Sequence, residues 1–318
     1  MQENNQQNNT TDNEFNQTLI NKIAWEAIAE QRRTRRWGVF FKLLLVAYIA
    51  VITIMSMSSG NWFGKGVTSG RHTALVDIRG VISDDTEANA DSVTIGLRNA
   101  FEDSNTAGVI LRINSPGGSP VQAGYINDEI RRLRKLHPNI PLYAVISDIC
   151  ASGGYYIASA ADKIYANKAS IVGSIGVIMD GFGFVDAIHK LGVERRVFHA
   201  GENKALLDPF SPLKQDEVDH VNKLLEEVHQ QFIDVVKKGR GSRLQNNDKL
   251  FSGLIWTGED SVKLGLVDGL GSAGYVAREV IGADDIVDYT VHENYFSKFA
   301  REIGTSMANK LENNFKME

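Results

Sequence analysis

The fold is decided by the stretch Ile146-Ser147-Asp148-Ile149-Cys150-Ala151-Ser152-Gly153-Gly154-Tyr155-Tyr156-Ile157-Ala158, in which a strand-like apolar segment passes into a helical one at a Ser-Gly-Gly turn. This pattern predicts that Ser152 lies exposed at a strand-to-helix junction. The Gly153 N–H and the positive end of the helix dipole would then face the place where an oxyanion forms during acyl transfer. Serine also commonly caps helices, and this motif alone explains Ser152 equally well as an N-cap.

Strand-like and helix-like segments alternate around this stretch. Short β-branched runs predict strands at 75–82, 108–113, 142–146, 163–166, 171–179 and 286–291, and helical spacing predicts helices at 88–101, 121–136, 152–161, 184–191 and 211–238. In the last of these helices, Ser211 and Pro212 would occupy the first positions and Gly239 would follow the end. The alternation predicts an α/β fold built as a βα repeat, with strands buried on both faces.

A second glycine-rich turn, Asn114-Ser115-Pro116-Gly117-Gly118-Ser119, follows the predicted strand 108–113 and precedes a helix. Its structural interpretation is a tight turn with a helix cap. Its functional interpretation is that Gly118 or Gly117 directs an N–H at the same oxygen as Gly153, which supplies the two donors that acyl transfer needs. Turns that follow neighbouring parallel strands meet at the carboxyl edge of the sheet, where α/β active sites lie.

Histidine is poorly placed to activate Ser152. The sequence has none between His137 and His189, and both His189 and His199 fall in patterns typical of surface or structural residues. A Ser–His–Asp triad is therefore disfavoured, and lysine is the alternative base. A lysine of ordinary pKa, about 10.4, acts as a base near neutral pH only if burial lowers that pKa by about three units.

Four segments together resemble the signal peptide peptidase A family in order and spacing. They are 114–119, 151–156, Gly173-Ser174-Ile175-Gly176-Val177 and Ala200-Gly201-Glu202-Asn203-Lys204-Ala205-Leu206-Leu207-Asp208-Pro209-Phe210. The resemblance covers nearly all of residues 71–290. It implies the short, single-repeat form of this family, peptidase family S49, with a ClpP/crotonase-like fold.

The resemblance also implies roles for individual residues. The family's nucleophile and general base correspond to Ser152 and Lys204, and its serine that hydrogen-bonds the lysine corresponds to Ser174. The implied reaction is peptide-bond hydrolysis through an acyl-enzyme, without a metal or cofactor. The oxyanion and supporting residues would be Gly153, Gly118, Gly117 and Ser174.

Lys168 is a rival for the role of base. Asn167-Lys168-Ala169-Ser170 replaces the Asn-Pro stretch that is more common in the family, and a lysine in a loop before a strand is expected to be solvated. Lys204 instead has the apolar neighbours that could bury it, namely Ala205, Leu206, Leu207 and Phe210. The sequence therefore favours Lys204.

The short members of the family form dome-like rings in which serine and lysine come from neighbouring subunits. The resemblance therefore implies a homo-oligomer with shared active sites, held at the lipid bilayer. It implies peptide substrates, namely signal peptides left after preprotein cleavage and other hydrophobic or unfolded segments.

A single membrane span is predicted near the N-terminus. Between Val39 and Met57 the only charged residue is Lys42, and a bilayer core of about 30 Å needs roughly 20 apolar residues as helix. Four arginines, in Arg32-Arg33-Thr34-Arg35-Arg36, precede the span and predict a cytoplasmic N-terminus, with the catalytic part outside the cytoplasm of a bacterial inner membrane. A buried core helix and a cleaved signal peptide are the alternatives; the length disfavours the first, and the long polar N-region disfavours the second.

The predicted organisation has five parts. They are a disordered, basic cytoplasmic tail at 1–36, a transmembrane anchor at 37–58, a linker at 59–70, a peptidase domain at 71–292 and a C-terminal amphipathic helix at 293–318. A net charge of −5 disfavours nucleic acid as a partner, because phosphate binding needs clustered basic residues. The single cysteine, Cys150, excludes an internal disulfide and is predicted to be a small buried residue.

Two other functions are compatible with this fold. A crotonase-like acyl-CoA enzyme would explain Gly117 and Gly118 but not Ser152 together with Lys204. The predicted export of the catalytic part would also separate such an enzyme from CoA. A noncatalytic membrane scaffold is the second alternative, and both predict that Ser152→Ala has no effect on hydrolysis.

Overall fold

The computed structural model describes residue 25, residues 35–53 and residues 70–292. The chain divides into two units, residues 1–66 and residues 67–318. The predicted C-terminal helix at 293–318 lies outside the described residues, as do nearly all of the predicted tail and linker.

The first unit contains the predicted apolar helix. Helix α1 spans Arg35–Thr53, and none of it is buried. It is long and apolar enough to cross a membrane. The last residues of the predicted anchor, 54–58, lie outside the described range.

The second unit is built on an eight-stranded sheet. The strands are β1 His72–Arg79, β2 Thr106–Ser115, β3 Leu142–Ala151, β4 Lys163–Ala166, β5 Ile171–Gly173, β6 Ile255–Thr257, β7 Gly269–Leu270 and β8 Ile286–Asp288. Their order is β6-β5-β3-β2-β1-β8, with β4 paired to β3 and β7 paired to β4. Every described pairing is parallel except that between β5 and β6. The predicted α/β fold is confirmed.

Helices cover both faces of this sheet. They are α2 Ala90–Glu102, α3 Pro120–Leu136, α4 Gly153–Ala158, α5 Val185–Lys190, α6 Gln215–Arg240, α7 Gly258–Lys263 and α8 Ala273–Tyr275, which a π-helical turn extends through Ile281. Alternate residues of β1 point to opposite sides. Val76 packs in the core with α2 and α3, whereas Leu75 packs with Val276 on the other face. The central strands β1, β2 and β3 are thus largely buried on both faces, as predicted, whereas the short strands β6, β7 and β8 are not.

Strand β3 changes its neighbour along its length, and this places the Ser-Gly-Gly turn. Its first part pairs with β4, whereas Ile149–Ala151 pair with β5. On its other edge it pairs with β2 as far as Cys150, which lies opposite Ser115. The carboxyl ends of β2, β3 and β5 therefore lie side by side, directly before the three turns that the sequence singles out.

Several predicted boundaries are wrong: the strand predicted at 75–82 ends at Arg79, that at 142–146 continues to Ala151, and that at 286–291 ends at Asp288. The strand predicted at 171–179 ends at Gly173, because Ser174 takes a φ of 52° and turns the backbone out of the strand. The helix predicted from Ser211 begins at Gln215 instead. The Ser211 hydroxyl donates to the Asp208 carboxylate at 2.6 Å, so it is not a helix cap.

Gly239, predicted to follow helix α6, lies inside it. A Cβ at this position would be 2.0 Å from the Ser159 carbonyl oxygen, so only glycine lets α6 approach the end of α4 this closely. The helix ends one residue later, and Gly241 with a φ of 56° is its C-cap.

A buried ion pair fastens the end of α6 beneath α4. The Arg240 side chain is 1% exposed and donates to the Asp268 carboxylate at 2.7 Å and to the Gly265 carbonyl at 3.0 Å. Burial raises the pKa of Asp268, but the hydrogen bond and charge of Arg240, together with the Ile164 N–H and the charge of Arg243, outweigh burial and hold that pKa below its usual value. The pair therefore stabilises the fold when Asp268 is ionised.

We expect Arg240→Ala to lower the free energy of unfolding by about 3 kcal/mol at pH 7, because it removes the buried guanidinium and leaves the Asp268 carboxylate with only the partly exposed Arg243, at 3.3 Å, and the Ile164 N–H as partners. The pKa of Asp268 is lower in the folded state than in the unfolded state. The ionised carboxylate therefore contributes its full stabilisation of the fold at pH values above the unfolded-state pKa, and this stabilisation is lost as the pH falls through the folded-state pKa. The difference between wild type and variant should therefore shrink below about pH 4. Urea unfolding of the detergent-solubilised chain measures it. Exposed Lys238→Ala is the control, and an equal loss in both variants would contradict the prediction.

Candidate active site

Ser152 occupies the turn between β3 and α4 in a conformation that serine rarely adopts. Its φ is 51° and its ψ is −123°, outside the regions favoured by residues with a Cβ. Ser152 precedes the helix, yet its side chain makes no capping hydrogen bond to the first turn. The helix-cap interpretation therefore does not explain this serine. Strained residues of this kind concentrate at functional sites.

The neighbouring turn after β2 packs directly against Ser152. A Cβ on Gly117 would be 2.6 Å from the Ser152 Cβ and 2.8 Å from the Gly153 nitrogen. Gly117 has a φ of 105° and Gly118 a φ of 148°. The contact and the dihedral angles both require glycine at position 117.

The structure distinguishes between the two predicted donors in this turn. The Gly117 N–H donates to the Ser115 hydroxyl at 3.1 Å and is already occupied. The Gly117 carbonyl and the Ser119 N–H both bond to Ile82, at 2.9 Å and 2.8 Å. Since successive backbone groups alternate in direction along an extended strand, the Gly118 N–H faces away from Ile82.

The Gly118 nitrogen faces Gly153. It lies 3.3 Å from the position that a Cβ on Gly153 would take. The Gly153 N–H belongs to the first turn of α4, where no helical carbonyl is available to accept it. Neither N–H has an acceptor within the described part of the chain. Two backbone donors thus converge beside the Ser152 side chain.

These groups line a cleft of about 680 Å³. Ser152, Gly153, Gly118 and Ser174 form part of its wall, and the Ser174 N–H is fixed by the Leu254 carbonyl at 2.7 Å. Helix α6 forms a further wall, through side chains that include Val228, His229 and Phe232. The size is that of a small-molecule or peptide side-chain site.

Lys204 does not line the cleft of its own chain. It lies in a turn within residues 177–214 and is exposed. Ile178, Phe182, Leu191 and Phe198 of the same segment are also exposed, the last of them to 94%. We name residues 177–214 the excursion. One chain alone brings Ser152, Gly118, Gly153 and Ser174 together, and leaves Lys204 apart from them.

The motif around Lys204 orders the excursion. Asp208 accepts hydrogen bonds from Ser211 and Arg195, and the Ser211 bond contributes most to a lowered pKa of Asp208. Phe210 stacks on Phe184 with ring centroids 5.5 Å apart. The sequence pattern identified the Asp-Pro-Phe element but did not predict that Asp208 and Phe210 make contacts within the excursion.

The other candidate residues lie elsewhere. Lys168 is exposed and lines a separate cleft with Arg112 and Asp148. His189 and His199 are exposed, as predicted. Cys150 is fully buried, as predicted, and burial raises the pKa of its thiol.

Sequence reasoning missed His229, whose side chain lines the cleft together with Ser152. Its Nε2 lies 3.1 Å from the Ile175 carbonyl oxygen. The apolar stripe of the helix identified α6 but not this neighbour, because the contact joins residues 54 positions apart. The only local sign of this contact in the sequence is that His229 follows Val228, a member of the apolar stripe of α6.

Comparison with known proteins places the chain among peptidases. The family model described as peptidase family S49 matches residues 134–285, which include Ser152, Ser174 and Lys204. The putative signal peptide peptidase SppA of Enterococcus faecium is 31% identical over 71% of this chain and 67% of its own length. Protease 4 of Haemophilus influenzae is 36% identical over 63% of this chain and 32% of its own length.

A further relative has a different name. A Brucella abortus protein named Na(+)/H(+) antiporter NhaA is 47% identical over 58% of this chain. This chain spans only 25% of that protein's length, so the name describes a protein that is mostly outside the match.

Proposed function

The chain belongs to peptidase family S49, and we propose that it is a membrane-anchored serine peptidase in which Ser152 is the nucleophile and Lys204 the general base. The observation that carries this proposal is the Ser152 turn. Its serine has a positive φ, does not cap its helix and lies beside the converging N–H groups of Gly118 and Gly153. A helix-capping serine would need none of these features.

The proposed reaction begins with attack of the Ser152 Oγ on a peptide carbonyl carbon, while the Lys204 amine accepts the hydroxyl proton. The resulting oxyanion accepts hydrogen bonds from the Gly118 and Gly153 N–H groups, which are already in place before the reaction. The lysine ammonium then protonates the leaving amine. A water molecule, deprotonated by the same lysine, hydrolyses the acyl-enzyme and frees Ser152.

The position of Lys204 supports a shared active site. A lysine works as a base only when it has lost most of its contact with water, and Lys204 is exposed in the single chain. The exposed apolar side chains of the excursion form a surface of the kind that proteins bury against a partner. We propose that the excursion packs on a second copy in a homo-oligomeric ring, where Lys204 enters the neighbouring Ser152 cleft and Ser174 orients its amine.

The cleft lining supports hydrophobic peptides as substrates. The rings of Tyr156 and Phe232 pack at a tilt with centroids 5.2 Å apart, and Val177 and Val228 line the same cleft. Burial, with a contribution from the Asp128 carboxylate, raises the pKa of the Tyr156 hydroxyl further above neutrality. Remnant signal peptides and unfolded apolar segments fit such a lining.

The N-terminal helix supports a single-pass anchor. The four arginines just before and at the start of α1 favour a cytoplasmic N-terminus, and the catalytic unit then lies outside the cytoplasm of a bacterial inner membrane. Peptides released within the bilayer would be near such an enzyme.

Complementation between two inactive variants tests the shared site. Differently tagged Ser152→Ala and Lys204→Ala chains are co-expressed, and particles that carry both tags are isolated in detergent. If serine and lysine come from neighbouring chains, random mixing should restore about a quarter of wild-type hydrolysis, because each site needs an intact serine on one chain and an intact lysine on the next.

The control replaces the Lys204→Ala partner with a Ser152→Ala, Lys204→Ala double variant and should remain inactive. Mixed particles without activity would exclude sharing between chains. Lys168→Ala should retain activity in the same assay, and a Lys204→Ala chain that is active alone would exclude Lys204 as the base.

A further inference from the structure

Helix α6 places the imidazole ring of His229 on the wall of the Ser152 cleft. Val228, His229 and Phe232 lie on the side of the helix that faces the cleft, and Phe232 is buried. His229 and Tyr156 are the only ionisable side chains among the residues that line this cleft. The proposed mechanism uses neither of them.

The His229 ring has a defined orientation. Its Nε2 lies 3.1 Å from the Ile175 carbonyl oxygen, which can only accept a hydrogen bond. The proton of the neutral ring therefore resides on Nε2. In the described part of the chain, Nδ1 makes no hydrogen bond.

The carbonyl that His229 holds belongs to a strained segment of the cleft wall. Ser174 has a φ of 52°, and its N–H donates to the Leu254 carbonyl at 2.7 Å. The Ile175 carbonyl also accepts the Gly253 N–H at 3.1 Å. The wall at Ser174 is thus held from one side by the segment before β6 and from the other by His229.

His229 also closes the base of the excursion. Ile175 lies just before the excursion, and His229 follows it on α6. Their hydrogen bond joins the two stems between which the excursion, with Lys204, leaves the core. A displacement of the Ile175 backbone would move both Ser174 and the first residues of the excursion.

We propose that His229 is a positioning residue for peptide hydrolysis, because its Nε2–H fixes the Ser174–Gly176 wall against helix α6. This role rests on the proposed peptidase function. It acts through Ser174 and the backbone, not by contact with the reacting atoms. Loss of the bond should therefore reduce stabilisation of the transition state more than binding of the substrate.

The test compares His229→Gln with His229→Asn. Glutamine can place an amide nitrogen near the position of Nε2, whereas the asparagine side chain is one bond shorter and reaches only to the position of Nδ1. We expect kcat for a hydrophobic peptide to fall about tenfold in His229→Asn and to stay within about threefold of wild type in His229→Gln, with KM nearly unchanged in both. Gln230→Ala, at the exposed neighbouring position, is the matched control.

The thermal unfolding midpoint of each variant shows whether a loss of kcat comes from a destabilised fold. The asparagine and glutamine side chains have the same polarity and differ mainly in reach, so a difference in kcat between variants of equal stability reports positioning. Equal kcat values for His229→Asn and wild type, or equal losses in the asparagine and glutamine variants, would overturn the role of His229. Hydrolysis that persists in Ser152→Ala would instead overturn the proposed role of Ser152 as nucleophile, so the two failures are distinguishable.

Discussion

Ser152→Ala is expected to lower kcat/KM for a hydrophobic peptide by at least about 10³-fold, because acyl-enzyme formation needs the hydroxyl as nucleophile. The fold should hardly respond. Ser152 makes no capping hydrogen bond, so alanine removes no bond from helix α4. Hydrolysis by the detergent-solubilised full chain and its thermal unfolding midpoint provide the two measurements.

The two measurements separate a nucleophile from a helix cap. If Ser152 were only a cap, its replacement would cost about 1 kcal/mol of stability and leave hydrolysis intact. Ser104→Ala, in an exposed turn, is the matched control and should change neither quantity. Full activity in Ser152→Ala would show that Ser152 is not the nucleophile.

Gly117→Ala is expected to reduce hydrolysis by about 100-fold or more, although position 117 supplies no reacting group. The added methyl group would lie 2.6 Å from the Ser152 Cβ and 2.8 Å from the Gly153 nitrogen, and the φ of 105° is strained for alanine. The turn must move, and with it the Gly118 N–H. Activity is measured together with labelling of Ser152 by a fluorophosphonate.

Gly124→Ala is the matched control for this change. Gly124 lies in helix α3, and a Cβ there would meet nothing within 4 Å. Alanine should leave hydrolysis unchanged and increase stability by about 0.5–1 kcal/mol. Equal activity in Gly117→Ala and Gly124→Ala would show that the contact between the two turns is not needed for catalysis.

Much of the fold could be predicted from the sequence because its signals are local. The strands of a parallel sheet are short β-branched runs, and β4 at Lys163–Ala166 has the predicted bounds. The end of β5 could not be predicted in this way, because Ile175, Val177 and Ile178 continue the β-branched pattern after Gly173. Contacts of Ser174 with Leu254 and of Ile175 with Gly253 and His229 turn the backbone there instead.

The end of α6 illustrates the same limit. A glycine late in a helical pattern normally marks the end of the helix, and the sequence pattern predicts this role for Gly239. The actual reason for this glycine is the Ser159 carbonyl, which belongs to a part of the chain some 80 residues earlier. Sequence spacing cannot distinguish a glycine that ends a helix from one that admits a neighbouring backbone.

For the Ser-Gly-Gly turn, local side-chain periodicity predicts a serine between a buried strand and a helix, because both elements have regular apolar patterns. The tertiary structure decided that this serine does not cap its helix, that Gly118 and not Gly117 has the free N–H, and that Lys204 lies outside the cleft of its own chain. Each of these depends on contacts between residues that are far apart in sequence. Such contacts form only when the sheet brings its turns together.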